Sequence, residues 1–144
     1  MSRVTELTIG KVERIAFRLA QEKLTYKEPI PEFSSRYPQK LESCLCVPFQ
    51  KFSGKDLYPG LLSKAAMLFY LLIKDHPFQN GNKRIAMTCL MFFLYENGKW
   101  IESDPKELYN FAMWVASSPA DAKADVLSFI EKFVKKYAVK LEED

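Results

Sequence analysis

Two apolar stretches, residues 61–74 and 82–96, lie close together in the chain with only a short interruption between them. The first (LLSKAAMLFYLLIK) carries Leu, Ala, Met, Phe and Ile almost all round a helical wheel. A helix without a polar face belongs at the centre of a fold. The second contains the apolar run 85–95, shorter than the about 20 residues that a bilayer span needs, so it too reads as a buried helix. Pro77 ends the first helix, because the residue before a proline is pushed out of the helical region. Asn97-Gly98 stops the second as a C-terminal cap pair. The remaining chain has to wrap these two helices.

It has the patterns to do so. Ile9, Val12, Ile15, Ala16 and Leu19 recur at helical spacing and predict an amphipathic helix over 8–22. Pro29, Pro31 and Pro38 break 26–38 into a loop, and Pro38 opens a short helix through Leu41, Cys44 and Leu45. The segment 48–59 holds Gly54 between two aromatic-containing arms and reads as a loop or small hairpin. Asp104-Pro105-Lys106-Glu107 has the form of an N-cap, a proline at the first helical position and a capping-box glutamate. The helix it opens carries Leu108, Phe111, Ala112, Trp114 and Val115. Ser118-Pro119 opens a last helix whose apolar face is Ala122, Val126, Phe129, Ile130, Phe133, Val134 and Tyr137. The tail 142–144 is expected to fray. Strand signals are confined to 48–59 and 99–101, and no repeat or low-complexity segment occurs. The expected class is all-α: one domain over 1–144, a helical bundle around two central apolar helices, with a small β-hairpin at most.

Composition narrows the function classes. At 144 residues the chain is long enough to bury a core, and 48% apolar with 14% aromatic residues argues against disorder. A net charge of +3, with basic and acidic residues interleaved, gives no reason to expect direct DNA binding. Cys44, Cys46 and Cys89 are an odd set beside a single histidine, so a zinc site is not expected and idle thiols in a reducing compartment are. No apolar run follows Arg3, so no signal peptide is read, and neither is a membrane partner. The expected setting is the cytoplasm.

The chemistry concentrates between the two apolar helices, in the stretch DHPFQNGNKRIA over 75–86. A helix that begins near Asn82 leaves its first N–H groups unpaired and carries partial positive charge at that end. Anions bind there. Gly81 lets a ligand approach the backbone. Lys83 and Arg84 add positive charge, and a guanidinium offers phosphate a two-pronged contact. His76, the only histidine, stands at the other end of the loop, and an imidazole can accept a proton from an attacking hydroxyl. Phe78 is expected to point into the core and fix the loop. These residue types suit phosphoryl transfer. No Walker Gly-x-x-x-x-Gly-Lys-Ser/Thr occurs, and no protein-kinase set.

The stretch resembles the signature of the Fic/Doc superfamily, most closely its death-on-curing (Doc) branch. Leu57-Tyr58-Pro59, Lys64-Ala65-Ala66, the loop 76–84 and Glu96-Asn97-Gly98 fall where that branch puts them, so the likeness runs from about 41 to 116. The resemblance implies an all-helical Fic fold that transfers part of a nucleoside triphosphate to a protein hydroxyl. It implies His76 as general base, Phe78 as loop anchor, Gly81 and Asn82 as anion binders, and Arg84 as the holder of phosphates. Fic adenylyltransferases carry Gly where this chain has Lys83. Doc-type members carry Lys there and pass on the γ-phosphate of a nucleotide bound in reversed orientation. The implied function is therefore a toxin that moves phosphate from ATP to a Ser or Thr of a translation elongation factor. The alternatives are an AMP-transferring enzyme and a binding module with its catalysis lost. Ser53, Gly54, Lys55, Asp56 and Leu57 would correspond to the flap that pairs with the target backbone. An antitoxin chain is the implied inhibitor, because the nearest match to a self-inhibitory Ser/Thr-x-x-x-Glu-Gly/Asn element, residues 2–6 followed by Leu7, lacks its last residue.

One position departs from the pattern. The family has Asp or Glu before the Gly-Asn pair, holding the Mg²⁺ that bridges the phosphates, and this chain has Asn80. An amide gives magnesium a neutral oxygen where a carboxylate gives charge as well. Three readings stand: a weakened or inactive member, a metal brought in by the nucleotide with Asn80 as a poor ligand, or an Asn introduced to silence a toxic protein. Asp75 is not expected to substitute. Sequence alone thus expects a site one charge short, in which Asn80→Asp raises metal-dependent activity.

Overall fold

The computed structural model describes residues 3–24 and 28–141. The tail 142–144, Tyr26 at the start of the first proline-rich loop and Ser2 of the near-match at 2–6 lie outside the described residues. Helix α1 covers 9–23, built from Ile9–Lys11, a π-helical turn over Val12–Ala16, and Phe17–Lys23. Then come α2 (Pro38–Cys46), a hairpin of β1 (Lys51–Phe52) and β2 (Lys55–Asp56), and the central pair α3 (Gly60–Lys74) and α4 (Asn82–Glu96). They are followed by β3 (Lys99–Ile101), α5 (Pro105–Ser117), α6 (Lys123–Tyr137) and β4 (Ala138–Lys140).

The two apolar helices form the centre. Every residue of α3 from Lys64 to Ile73 is buried, as expected of a helix that α2, α4, α5 and α6 cover from different sides. Helix α4 packs against α3, α1 and α5, burying 84–90 with Phe93 and Leu94. Polar ties brace the shell. Thr88 of α4 donates to the Ala16 carbonyl of α1 at 2.8 Å, a buried bond. Lys74, at the end of α3, donates to the Ala116 and Ser118 carbonyls at 3.1 and 2.6 Å, holding the end of α5. Asp104 caps α5 by accepting from the Lys106 amide at 2.9 Å. Glu107, expected to complete a capping box, accepts instead from the Tyr137 hydroxyl of α6.

Three expectations about faces are corrected. In α1, Ile15 and Leu19 are exposed, and Phe17 and Ala20 join Val12 and Ala16 in the core. The cause is the π turn: the Phe17 amide donates to the Val12 carbonyl five residues back, and the inserted residue rotates the buried face. In α5 and α6, Trp114 and Phe129 are 44% and 49% exposed. They meet edge to face at 5.6 Å on the surface, continuous with the Phe111–Phe133 stack at 4.2 Å. Strand β4 had no sequence signal. It pairs antiparallel with β3, Trp100 opposite Val139, and returns the chain end to the exit of α4.

The proposed flap is a two-stranded hairpin. Ser53 (φ 51°) and Gly54 (φ 78°) form its turn with both residues left-handed, the geometry that matches strand twist. Lys64 pins its base: the buried ammonium donates to Asp56 Oδ2 at 3.1 Å and to the Tyr58 carbonyl at 2.5 Å. Among the described residues, no helix is long and apolar enough to cross a membrane.

Burial also sets the thiols apart. It pushes the Cys44 thiol up to about 12, with Asp75 adding to the effect, and it raises Cys89, where Cys44 is the second cause. Cys46 is exposed. Only a thiolate reacts quickly. At pH 8 a thiol reagent should therefore modify Cys46 in the folded protein and reach Cys44 and Cys89 only on unfolding. Quick native labelling of all three, read by mass, would contradict this packing.

Candidate active site

The loop between α3 and α4 is closed by a side chain. Asn82, the first residue of α4, accepts from the Phe78 amide at 2.9 Å and donates back to the Phe78 carbonyl at 2.8 Å. One planar amide thus satisfies both polar groups of one backbone residue. The same Asn82 Nδ2 lies 3.5 Å from His76 Nδ1. The imidazole is thereby placed beside the start of α4, and the His76 side chain is exposed. His76 has φ 49°, a left-handed conformation costly for a non-glycine residue, of a kind that collects at functional sites. Below it, Phe78 is buried with its ring 5.5 Å from Phe17 and 6.0 Å from Phe33. Truncating such an aromatic costs about 3–5 kcal/mol, comparable to the lower range of a domain's whole stability, so the loop is anchored firmly. The Tyr37 amide donates to the Pro77 carbonyl at 2.9 Å and braces it from α2.

Beyond Asn82 a cleft of about 410 Å³ opens, lined by Glu28, Asn80, Gly81, Asn82, Lys83, Arg84, Tyr109 and Met113. The first intrahelical bond of α4 runs from the Ile85 amide to the Gly81 carbonyl at 2.8 Å, so the N–H groups of Asn82 and Lys83 have no carbonyl within the helix. Lys83 is half-buried at the cleft wall. Arg84 is buried, and two of its N–H groups are committed to main chain: Nη1 to the Leu24 carbonyl at 3.1 Å and Nη2 to the Glu28 carbonyl at 2.8 Å. Asn82 likewise spends its side chain on the loop, so what it can offer an anion is its backbone N–H. Asn80 Nδ2 faces Glu28 Oε2 at 3.4 Å and the Pro29 carbonyl at 3.3 Å.

Not every expected residue converges here. The hairpin residues Ser53, Gly54, Lys55, Asp56 and Leu57 are exposed and do not line this cleft. Asp56 lines a separate hollow with Lys64, Phe49 and residues 3–6 of the N-terminal segment. Glu6, from the near-match to a self-inhibitory element, faces that hollow as well. Asp75 is exposed at the end of α3, where its charge acts on Cys44 and Tyr70. Sequence reasoning missed Glu28, Tyr109 and Met113. Tyr109 and Met113 sit one helical turn apart on α5, and that spacing alone could have marked them as one face.

Magnesium can be tested against this donor set. Among the described residues no three or more His, Cys, Asp or Glu side chains cluster as a metal site. An ion carried by a nucleotide needs only one or two protein carboxylates, with phosphate oxygens and water. Asn80 alone offers a neutral oxygen. Glu28 on the cleft wall offers one such carboxylate, which fits, while Asn80 turns its amide N–H groups toward it.

The comparisons with known proteins show the family. The family model described as Fic/DOC family matches residues 5–94, more than half of the chain, so the chain belongs to the Fic/DOC family. A protein of Mycolicibacterium smegmatis named Toxin Doc is 36% identical over 64 residues, 44% of this chain and 49% of that protein, a likeness to the Doc branch. The matched part is thus about half the length of that relative. No solved structure matches.

Gly81 is the tightest point of the site. Its φ is 78°, and a Cβ there would meet Ile30 Cγ1 at 2.6 Å. Gly81→Ala should cost about 1–2 kcal/mol for the left-handed backbone and a further ~1–3 kcal/mol for the clash. Adding Ile30→Ala should relieve the clash and leave the backbone strain. Equal melting temperatures for Gly81→Ala and wild type would show that the 28–30 segment does not press on the loop.

Proposed function

We propose that this protein is a Doc-type phosphotransferase that moves the γ-phosphate of ATP to a Ser or Thr hydroxyl of another protein. The observation that carries the reading is Asn82, which joins His76 to the start of α4 at the edge of a cleft walled by Gly81 and Lys83. Backbone N–H groups of α4 and the Lys83 ammonium hold the phosphates. His76 accepts the hydroxyl proton as the target oxygen bonds to the γ-phosphorus, and the bond to the bridging oxygen breaks to release ADP. Arg84 acts mainly by holding the carbonyls of Leu24 and Glu28, the latter at the cleft wall. Magnesium, when bound, supplies charge neutralisation and orientation of the phosphates, and Glu28 would hold it. Lys83 favours phosphate over AMP as the transferred group.

The partners follow from the same reading. The target is proposed to be a translation elongation factor in the cytoplasm, met by the exposed edges of the β1–β2 hairpin through main-chain pairing. The inhibitor is proposed to be an antitoxin chain. Asn80 favours one competing reading, a binding module that keeps the scaffold without the catalysis.

Intact-mass analysis of purified elongation factors incubated with the protein, ATP and Mg²⁺ decides between them. A phosphate adduct is expected, and His76→Ala should slow its formation by about 10²–10⁴-fold, the usual worth of a general base. An AMP adduct would establish the adenylyltransferase reading. No adduct on any factor, with nucleotide still bound, would establish the binding module.

A further inference from the structure

We propose that Glu28 supplies the carboxylate that position 80 lacks, and so recruits the divalent cation of the bound nucleotide. This rests on the phosphotransfer reading of the same cleft. Glu28 lies 52 residues from Asn80 in sequence, yet its Oε2 is 3.4 Å from Asn80 Nδ2. The placement is built. Arg84 Nη2 donates to the Glu28 carbonyl at 2.8 Å, and Asn80 Nδ2 also reaches the Pro29 carbonyl at 3.3 Å. Gln21 Nε2 donates to the Ile30 carbonyl at 3.1 Å, and the Ile30 side chain lies buried against Gly81. Three consecutive residues are thus fastened onto the start of α4, and the first of them lines the cleft.

The charge balance points the same way. Lys83 and the positive end of α4 suit this cleft to phosphate, and a carboxylate on its wall opposes phosphate. A divalent cation, when bound, would offset that repulsion. Magnesium takes oxygen ligands and keeps several waters, so one carboxylate with the phosphates is a sufficient set. Asn80 Oδ1 accepts no hydrogen bond among the described residues, while the amide nitrogen makes both contacts. The gain that sequence alone expects from Asn80→Asp is therefore confined to a chain without the Glu28 charge.

The alternative is that Glu28 merely accepts a hydrogen bond from Asn80. Glu28→Gln separates the two roles, because a glutamine oxygen still accepts and the charge is gone. The side chain is exposed, so the fold should survive, as a melting curve will show. The test is Mn²⁺ binding read by electron paramagnetic resonance with a non-hydrolysable ATP analogue, on wild type, Glu28→Gln and Glu28→Gln/Asn80→Asp. Glu28→Gln should weaken Mn²⁺ binding about 10–100-fold, leave metal-free analogue binding unweakened, and be rescued to within a few-fold by Asn80→Asp. Unchanged Mn²⁺ affinity in Glu28→Gln, or no rescue, overturns the proposal. So does a wild type that binds the analogue but recruits no Mn²⁺ to it. Glu28-dependent Mn²⁺ binding without any target labelling upholds it while removing the phosphotransfer reading. A wild type that binds neither analogue nor Mn²⁺ overturns both.

Discussion

Asn82 makes both hydrogen bonds of the Phe78 backbone with one side-chain amide, at 2.9 and 2.8 Å. Phe78 is buried, and a buried backbone polar group left unpaired costs about 1–3 kcal/mol. This closure lets the chain leave α3, turn through a left-handed His76 and enter α4 within a few residues. It also decides where the chemistry sits. The imidazole is carried to the positive end of α4, and Phe78 is driven into the ring cluster with Phe17 and Phe33.

The core makes this possible. Helix α3 is covered on all sides, so its end and the start of α4 have fixed positions relative to each other. Onto that base the chain adds the 28–30 segment, fastened by Arg84, Asn80, Gln21 and the contact of Ile30 with Gly81. The buried Arg84 illustrates the energetics. A guanidinium removed from water is tolerable only with partners, and here main-chain carbonyls from the loop provide them. The cleft therefore has one wall from a helix start and one from a loop that the helix itself holds.

Much of this was legible in the sequence. Uniform apolarity in 61–74 marked α3 as central, Pro77 and Gly98 marked the ends of α3 and α4, and the residue types over 76–84 marked the chemistry. What escaped has physical causes. The π turn in α1 rotated the buried face by one inserted residue, which no periodicity count anticipates. Trp114 and Phe129 obey the helical period yet stay exposed, because the stripe they extend is wider than the neighbouring helices cover. Strand β4 is stabilised by β3 rather than by its own residues. Arg84 lines the cleft, and the carbonyls that it also holds are ones that only the folded loop brings near. Glu28 lies in a proline-broken segment without periodicity, and nothing local ties it to Asn80.

The start of α4 and its loop wall are proposed to form a site for a nucleotide's phosphates. Amide chemical shifts followed by nuclear magnetic resonance during titration with ATP and Mg²⁺ test it most directly. The account predicts saturable shifts at Gly81, Asn82, Lys83 and Glu28, with Tyr109 and Met113 responding across the cleft and the β1–β2 hairpin unmoved. Saturable shifts that cluster elsewhere while the amides of Gly81 to Lys83 stay still would contradict it.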